Sequence, residues 1–380
     1  MKPIYLDYAA ATPLDKRVAD LMLPYAAEKF FNPSADYQAA REVKARLNQA
    51  RAQVAAVLGS KPGEVVFCAG GTEANNLAIK GVMESYPKAK LLISAVEHES
   101  VLAPAALFKH AVLKVDTAGR LDLEDLVQQL DERTVLVSVM YANNEVGTIQ
   151  PLRRIAAIIN EQRAKRRAQG NRLPLLFHTD ACQAGNFLDL HVSRQGVDLM
   201  TLNGGKVYGP KQSGALYVRA GVALKPLVDG GHQESGLRSG TENISADIGF
   251  AAALSLAQEQ RLEQSDAQSK LRDYFIKKLE ENFKSLVTIN GSQKQRLPNN
   301  VHATFKGKDN EVMLIKLDQA GVMAAAGSAC SAARSESSHV LLAMGLSDDE
   351  ARASLRFTLG RETTKAEIDR VIDILQTLVD

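Results

Sequence analysis

The sequence predicts an α/β fold: a mostly parallel sheet covered on both faces by helices, joined to a smaller α+β domain. Over the first two thirds of the chain, short apolar runs alternate with helical patterns. Strands buried on both faces and linked by crossover helices produce that alternation. After about residue 260 the alternation stops and a long polar helix leads into a different pattern. At 380 residues there is room for one large domain and a second, smaller one.

The elements follow in order. "EVVFC" (64–68) reads as a buried strand, with a helix opening near Thr72. "LLISAV" (91–96), "VLVSVMY" (135–141), "LLFHTD" (175–180), "LMTLN" (199–203) and "GALYV" (214–218) read as further strands, several of them separated by helices over 122–130 and 151–169. A polar helix over 255–283 precedes "NNVHATF", "EVMLIKLDQAGV" and the strand-like "ASLRFTL". The last helix opens on a capping box, Thr364 with Glu367. Its apolar stripe, Ile368, Val371, Ile372, Leu375 and Val379, has the spacing of a helix docked on a sheet. The expected division is a large domain over 15–263 and a small one over 264–380, completed by residues 1–14.

Composition excludes several classes. Lys and Arg number 46 against 44 Asp and Glu, so nothing points to nucleic acid or a membrane as the main partner. The local basic run Arg163, Lys165, Arg166, Arg167 and Arg172 reads as cations at a helix C-terminus capped by Gly170. No apolar run approaches the ~20 residues of a membrane span, and Asp7 interrupts the N-terminus where a signal peptide needs an apolar stretch. Cys68, Cys182 and Cys330 are odd in number and form no C-x-x-C, which argues against a disulfide framework or zinc knuckle and for a reducing, cytoplasmic setting.

In open α/β sheets ligands sit at the carboxyl ends of the strands. After the first strand, Gly70 and Gly71 allow close backbone approach, and Thr72 opens a helix whose N–H groups and dipole suit a phosphate; Gly-rich turns also serve packing alone. After the second comes His98, placed to stack on a planar ring and to move a proton, or to serve structure only. Asn143 and Asn144 read as a turn or as an amide holding a carboxylate. Asp180 ends a strongly apolar run and reads as a helix cap or as the counter-ion of a buried cation. His178, Asp180 and Cys182 alternate along one strand face, but no second ligand cluster supports a metal. Lys206 follows "LMTLN" and two glycines, at the same rim. A partly desolvated lysine is a nucleophile toward aldehydes. Lys206, Asp180 and Gly70–Thr72 together supply what pyridoxal 5'-phosphate requires: a Schiff-base lysine, an anion for the ring nitrogen and a phosphate cradle.

The ordered set "YLDYAAATP", "FNPSADY", "GGTEANNLAIKG", "EHESVL", "NNEVGTIQP", "HTDACQAG", "KVYGPKQSGALYV", "GLRSGTENI", "GSACSAARS" and "SLRFTLGR" resembles a cysteine desulfurase of the class V aminotransferase group, nearly end to end. The resemblance implies the fold-type-I pyridoxal-phosphate architecture, with a seven-stranded sheet in the large domain. It implies that Lys206 carries the cofactor, Asp180 faces the pyridinium nitrogen, Gln183 the ring hydroxyl, and His98 stacks on the ring. Gly71, Thr72 and Asn203 would take the phosphate. Thr241 would reach the phosphate of the partner subunit, making a homodimer. Asn144, Arg356 and Asn32 would serve the substrate, Arg356 through its planar fork. Cys330 would accept sulfur as a persulfide for an iron–sulfur scaffold, a tRNA-thiolation protein or another acceptor. Its surroundings, "AAAGSACSAARSESSH", have the composition of a mobile, reactive loop, whereas Cys68 and Cys182 read as buried strand residues.

The resemblance breaks in two places. A Ser-x-His usually precedes the lysine; here the three positions are Asn203, Gly204 and Gly205. A His often follows Asn-Pro-Ser; here Ala35, Asp36 and Tyr37 follow Ser34. The expected reaction is L-cysteine to L-alanine, with Lys206 moving the Cα proton. A selenocysteine lyase or aminotransferase on the same scaffold, or a non-catalytic scaffold that has lost the cofactor, are the alternatives.

Overall fold

The structure, a computed structural model, describes residues 3–327 and 337–379. It opens on a two-residue strand, β1 (Ile4–Tyr5). The next seven strands described are β2 (Val65–Cys68), β3 (Lys90–Ser94), β4 (His110–Leu113), β5 (Thr134–Ser138), β6 (Leu176–Asp180), β7 (Leu199–Asn203) and β8 (Gly214–Val218). They form one sheet in the order β2-β8-β7-β6-β5-β3-β4. Neighbours from β4 across to β7 are parallel, and β8 is antiparallel to both β7 and β2. This is the mostly parallel, seven-stranded sheet expected.

Alternate residues along each strand feed two cores. Phe67, Leu92, Val137, Phe177 and Met200 lie on one side, and Val66, Leu91, Leu136, Leu176 and Leu199 on the other. Two-sided burial is why these strands read as continuous apolar runs. β4 has no such signature. It is an edge strand in which only Leu113 is buried, so no apolar run marks it in the sequence.

The second part holds β9 (Val287–Ile289), β10 (Asn300–Phe305), β11 (Val322–Met323) and β12 (Ser354–Thr358). β9, β10 and β12 make an antiparallel sheet in the order β12-β10-β9, while β11 pairs in parallel with β1. A separate core joins Phe275, Val301, Phe305 and Phe357 to Leu6 from the N-terminus and to Ile368, Val371, Ile372, Leu375 and Val379 of the last helix. The capping box is formed: Glu367 accepts from Thr364 N at 2.8 Å, and Thr364 Oγ1 from Glu367 N at 3.2 Å.

Two readings need correction. The single helix over 255–283 is two helices, Ile244–Glu259 and Arg261–Phe283, which meet at Gln260 without a glycine or proline to announce the break. The basic run is not simply a solvated helix end. Gly170 does take the left-handed conformation at φ 76°, but Arg166 is 1% exposed and donates to Asp131 O and Pro174 O. Arg163 is paired with Asp198 and donates to Leu175 O. These arginines tie helix Leu152–Ala168 to the chain entering β5 and β6.

Candidate active site

The chain leaves β3 for the sheet edge at β4, then crosses back to place β5 on the other side of β3. A crevice therefore opens beyond the carboxyl ends of β3 and β5, the place where open α/β sheets bind ligands. His98 follows β3, Asn144 follows β5, and Asp180 and Asn203 end β6 and β7. Together with Gly71, Thr72, Gln183, Lys206 and Arg356 they line one cavity of about 310 Å³. The structure thus brings together nine of the predicted site residues.

Lys206 lies in a short 3₁₀ turn, Gly204–Lys206, directly after β7. Its Nζ donates to Ala9 O at 2.8 Å and Ala10 O at 2.6 Å. Burial lowers its pKa below the ordinary lysine value. The turn is strapped from the N-terminal segment. Thr12 N and Thr12 Oγ1 both donate to Gly205 O at 3.1 Å, and Thr12 Oγ1 accepts from Tyr208 N at 2.8 Å.

Asp180 is 6% exposed, and both oxygens are held: Oδ2 accepts from Asn75 Nδ2 at 2.6 Å, Oδ1 from Cys182 N at 2.9 Å. Asn75 also donates to Ser100 Oγ at 2.8 Å. Ser100 N donates to His98 Nδ1 at 3.1 Å, and Ser100 Oγ lies 2.8 Å from the same nitrogen. Nδ1 is therefore an acceptor, and the neutral His98 ring carries its proton on Nε2. Asn75 and Ser100 were missed from the sequence. An asparagine pair inside a helix, at Asn75 and Asn76, was the available signal, because Asn is a weak helix former.

Helix Gly71–Ser85 points its N-terminus at the cavity. Gly70, at φ 103°, turns the chain into it. A Cβ on Gly71 would stand 2.6 Å from Cys182 Sγ. Asn203 Oδ1 accepts from Gly205 N at 2.9 Å, and Gln183 Nε2 donates to Ala9 O at 3.0 Å. Cys182 follows β6 rather than lying on it, and it lines the cavity. Burial first, then the nearby Asp180, push its thiol well above the ordinary range, so it is not a ready thiolate. Cys68, on β2, is likewise raised by burial.

Arg356, on β12, is 2% exposed. Nη2 donates to Asp7 Oδ1 at 2.7 Å and Nη1 to Asn144 O at 3.0 Å, while Nε is buried with no partner among the described residues. The two asparagines divide the alternatives between them. Asn143 holds the turn, its Oδ1 accepting from Glu145 N and Val146 N, whereas Asn144 faces the cavity. His178 has hydroxyl partners rather than a ligand role: Ser138 Oγ at 2.8 Å and Thr201 Oγ1 at 3.1 Å.

Asn32 and Thr241 do not line the cavity; both are exposed, and Asn32 Oδ1 accepts from Ser34 N at 2.9 Å. Cys330 lies outside the described residues. The ends flanking its segment are near the site. A Cβ on Gly327 would stand 3.4 Å from Glu145 Oε2, which also accepts from Ser338 Oγ at 2.5 Å. His339 Nε2 is 2.9 Å from Glu97 O. Glu145 and Glu97 adjoin Asn144 and His98 in the chain.

The aminotransferase class-V family model matches residues 4–371. The chain is 40% identical over 386 residues to the cysteine desulfurase IscS of Dictyoglomus turgidum, covering 100% of this chain and 95% of that protein. A solved structure described as a NifS-like protein is similar with a TM-score of 0.90 at 31% identity, covering 99% of each chain. Another, SspA in complex with cysteine, has a TM-score of 0.80 at 33% identity, covering 94% of this chain and 98% of that one.

Proposed function

The chain belongs to the class-V aminotransferase family and is a cysteine desulfurase, and from that premise we propose that it binds pyridoxal 5'-phosphate in the 310 Å³ cavity and turns L-cysteine into L-alanine and a persulfide on Cys330. The observation carrying this reading is that a desolvated lysine and a doubly held, buried aspartate meet in one cavity beside a glycine-cleared helix N-terminus. Those residues fit the cofactor. Lys206 would hold it covalently, Asp180 would face its ring nitrogen, and Gly71, Thr72 and Asn203 would take its phosphate. Bound there, pyridoxal phosphate supplies an electron sink for the carbanion formed at the substrate Cα.

The chain's own groups do the rest. Arg356 and Asn144 hold the substrate carboxylate, Arg356 with the Nε–H that no described residue uses. Lys206, its proton affinity reduced by burial, takes and returns the Cα proton. His98 presents Nε2–H, fixed by the Ser100 contacts on its other nitrogen. Cys330 Sγ, as thiolate, attacks the substrate sulfur. The Cβ–S bond breaks, its electron pair stays on the three-carbon product, and that product takes up protons and leaves as alanine. The segment's two flanking ends at Glu145 and Glu97 support Cys330 as the acceptor. The persulfide then passes to an acceptor protein, of the iron–sulfur or tRNA-thiolation kind.

The same reading makes the protein a cytoplasmic homodimer. Thr241 is exposed, outside its own cavity, and Leu23 and Phe30 are 69% and 70% exposed. Among the described residues no helix is long and apolar enough to cross a membrane. Cys330→Ser is expected to abolish the extra sulfur seen by mass spectrometry and to lower alanine formation from cysteine at least ~100-fold, the scale of losing a nucleophile. Unchanged alanine formation would remove Cys330 from the mechanism. A protein that stays colourless with pyridoxal phosphate would be a scaffold instead.

A further inference from the structure

Lys211 has no part in the chemistry above. Its side chain lies across the bare face of Gly205: a Cβ at that position would stand 3.3 Å from Lys211 Cδ. Lys211 and Gly205 share the wall of a second cavity, about 700 Å³, with Gly71, Thr72, Asn203 and Lys206. Four of those residues also line the first cavity, so the two adjoin at the helix N-terminus and Lys206. Lys211 Nζ uses one of its three N–H donors on Thr12 O. The carboxylate in the same wall, Glu73, is engaged elsewhere, accepting from Ala69 N at 2.7 Å and pairing with Arg238 at 2.9 Å.

At this end of the site the chain offers a phosphate dianion the N–H groups of a helix start, the Thr72 hydroxyl and the Asn203 amide, all uncharged. Gly205 offers no side chain. We propose that Lys211 binds the phosphate of the cofactor, reaching it over Gly205 and supplying the positive charge that position 205 does not. This rests on the cavity being the pyridoxal-phosphate site. The absence of a Cβ at 205 gives the lysine methylenes their path, and the Thr12 carbonyl holds the ammonium with two of its donors unused among the described residues.

The experiment titrates protein freed of cofactor with pyridoxal phosphate and, separately, with pyridoxal, following absorbance of the bound chromophore. Lys211→Met should weaken pyridoxal-phosphate binding roughly 10–100-fold, the range for one charged hydrogen bond, and leave pyridoxal unchanged. Lys211→Arg should bind within about 3-fold of the parent because the charge and donors remain. Adding Gly205→His to Lys211→Met should recover part of the loss. The proposal is overturned if Lys211→Met binds pyridoxal phosphate as tightly as the parent. It is equally overturned if binding of both compounds weakens by the same factor, since Lys211 then only props the Thr12 turn. If the parent itself binds neither compound, the cofactor reading of the cavity falls, and this proposal with it.

Discussion

Ser100 is buried at 7% exposure and makes three contacts at one point of the cavity wall. Its N–H and hydroxyl address His98 Nδ1, and its oxygen takes the second N–H of the asparagine that grips Asp180. It is a positioning residue for two groups that touch the cofactor in the reading above. Ser100→Ala should lower kcat about 3–30-fold with a smaller change in KM, the scale of about 1–2 kcal/mol for a buried hydrogen bond. Ser100→Thr should restore most of it. Steady-state alanine formation by the three proteins checks this, and a KM effect as large as the kcat effect would contradict it. Gly71 gives a steric counterpart. Gly71→Ala puts a Cβ 2.6 Å from Cys182 Sγ and should weaken cofactor binding by about tenfold or more, by the strain of overpacking. Cys182→Ala in the same chain removes that sulfur and should return most of the affinity, as a cofactor titration would report. These contacts explain what the sequence hid. Lys206, Asp180 and His98 announce their chemistry at strand ends, whereas Ser100 and Asn75 act only through other side chains.

At the scale of elements, strand ends were readable because two-sided burial leaves continuous apolar runs, and runs of that kind put their last residues at one rim. The edge strand β4, with a burial pattern close to that of a loop, and the helix break at Gln260 carry no comparable mark. The antiparallel placement of β8 follows from the short link from Asn203 to Gly214, which leaves no room for a crossover helix. The sheet also stores a pH dependence. His178 spans three strands, bonded to Ser138 on β5 and Thr201 on β7, and burial lowers its pKa to about 4. His302, on β10, is lowered by burial to about 3. The unfolded chain takes up these protons near the ordinary histidine value of about 6.5, and the native protein does not. Their contribution is therefore complete above about pH 6.5 and is lost as pH falls toward the native values. For His178 the window from 6.5 to about 4 corresponds to about 3 kcal/mol. Glu97, raised by burial, has the opposite sign, so the histidine slope is read as a difference. Denaturant unfolding of the protein and of His178→Gln at pH 7 and pH 4.5 should show a shallower acid loss in the variant. Equal losses would mean that His178 is not held neutral.

Over the whole molecule, residues 4–12 connect the two smaller sheets to Lys206. β1 pairs with β11, and Asp7 bridges to Thr358 and pairs with Arg356. Ala9 and Ala10 present their carbonyls to Lys206, and Thr12 closes on the turn that carries it. The sequence places this segment with the small domain; its contacts with Gly205, Lys206 and Tyr208 also make it a floor of the 310 Å³ cavity. A motif such as "YLDYAAATP" gives no hint of that from composition, because most of its contacts are made by backbone. Thr12 is the test. It is 2% exposed, and its hydroxyl both donates to Gly205 O and accepts from Tyr208 N. Tyr208 sits at φ 61°, a conformation that a bulky residue holds only when its surroundings enforce it. Thr12→Val keeps the shape and strips the hydroxyl, leaving Tyr208 N–H buried without its acceptor. The expected cost is about 1–3 kcal/mol of stability. Lys206 should also hold the cofactor less firmly, because the turn that carries it loses one of its straps. Thr12→Ser should behave as the parent. Thermal unfolding and the rate of cofactor loss on dilution measure the two effects together. A destabilised Thr12→Val protein that releases cofactor at the parent rate would show that the N-terminal strap holds the fold but not the lysine.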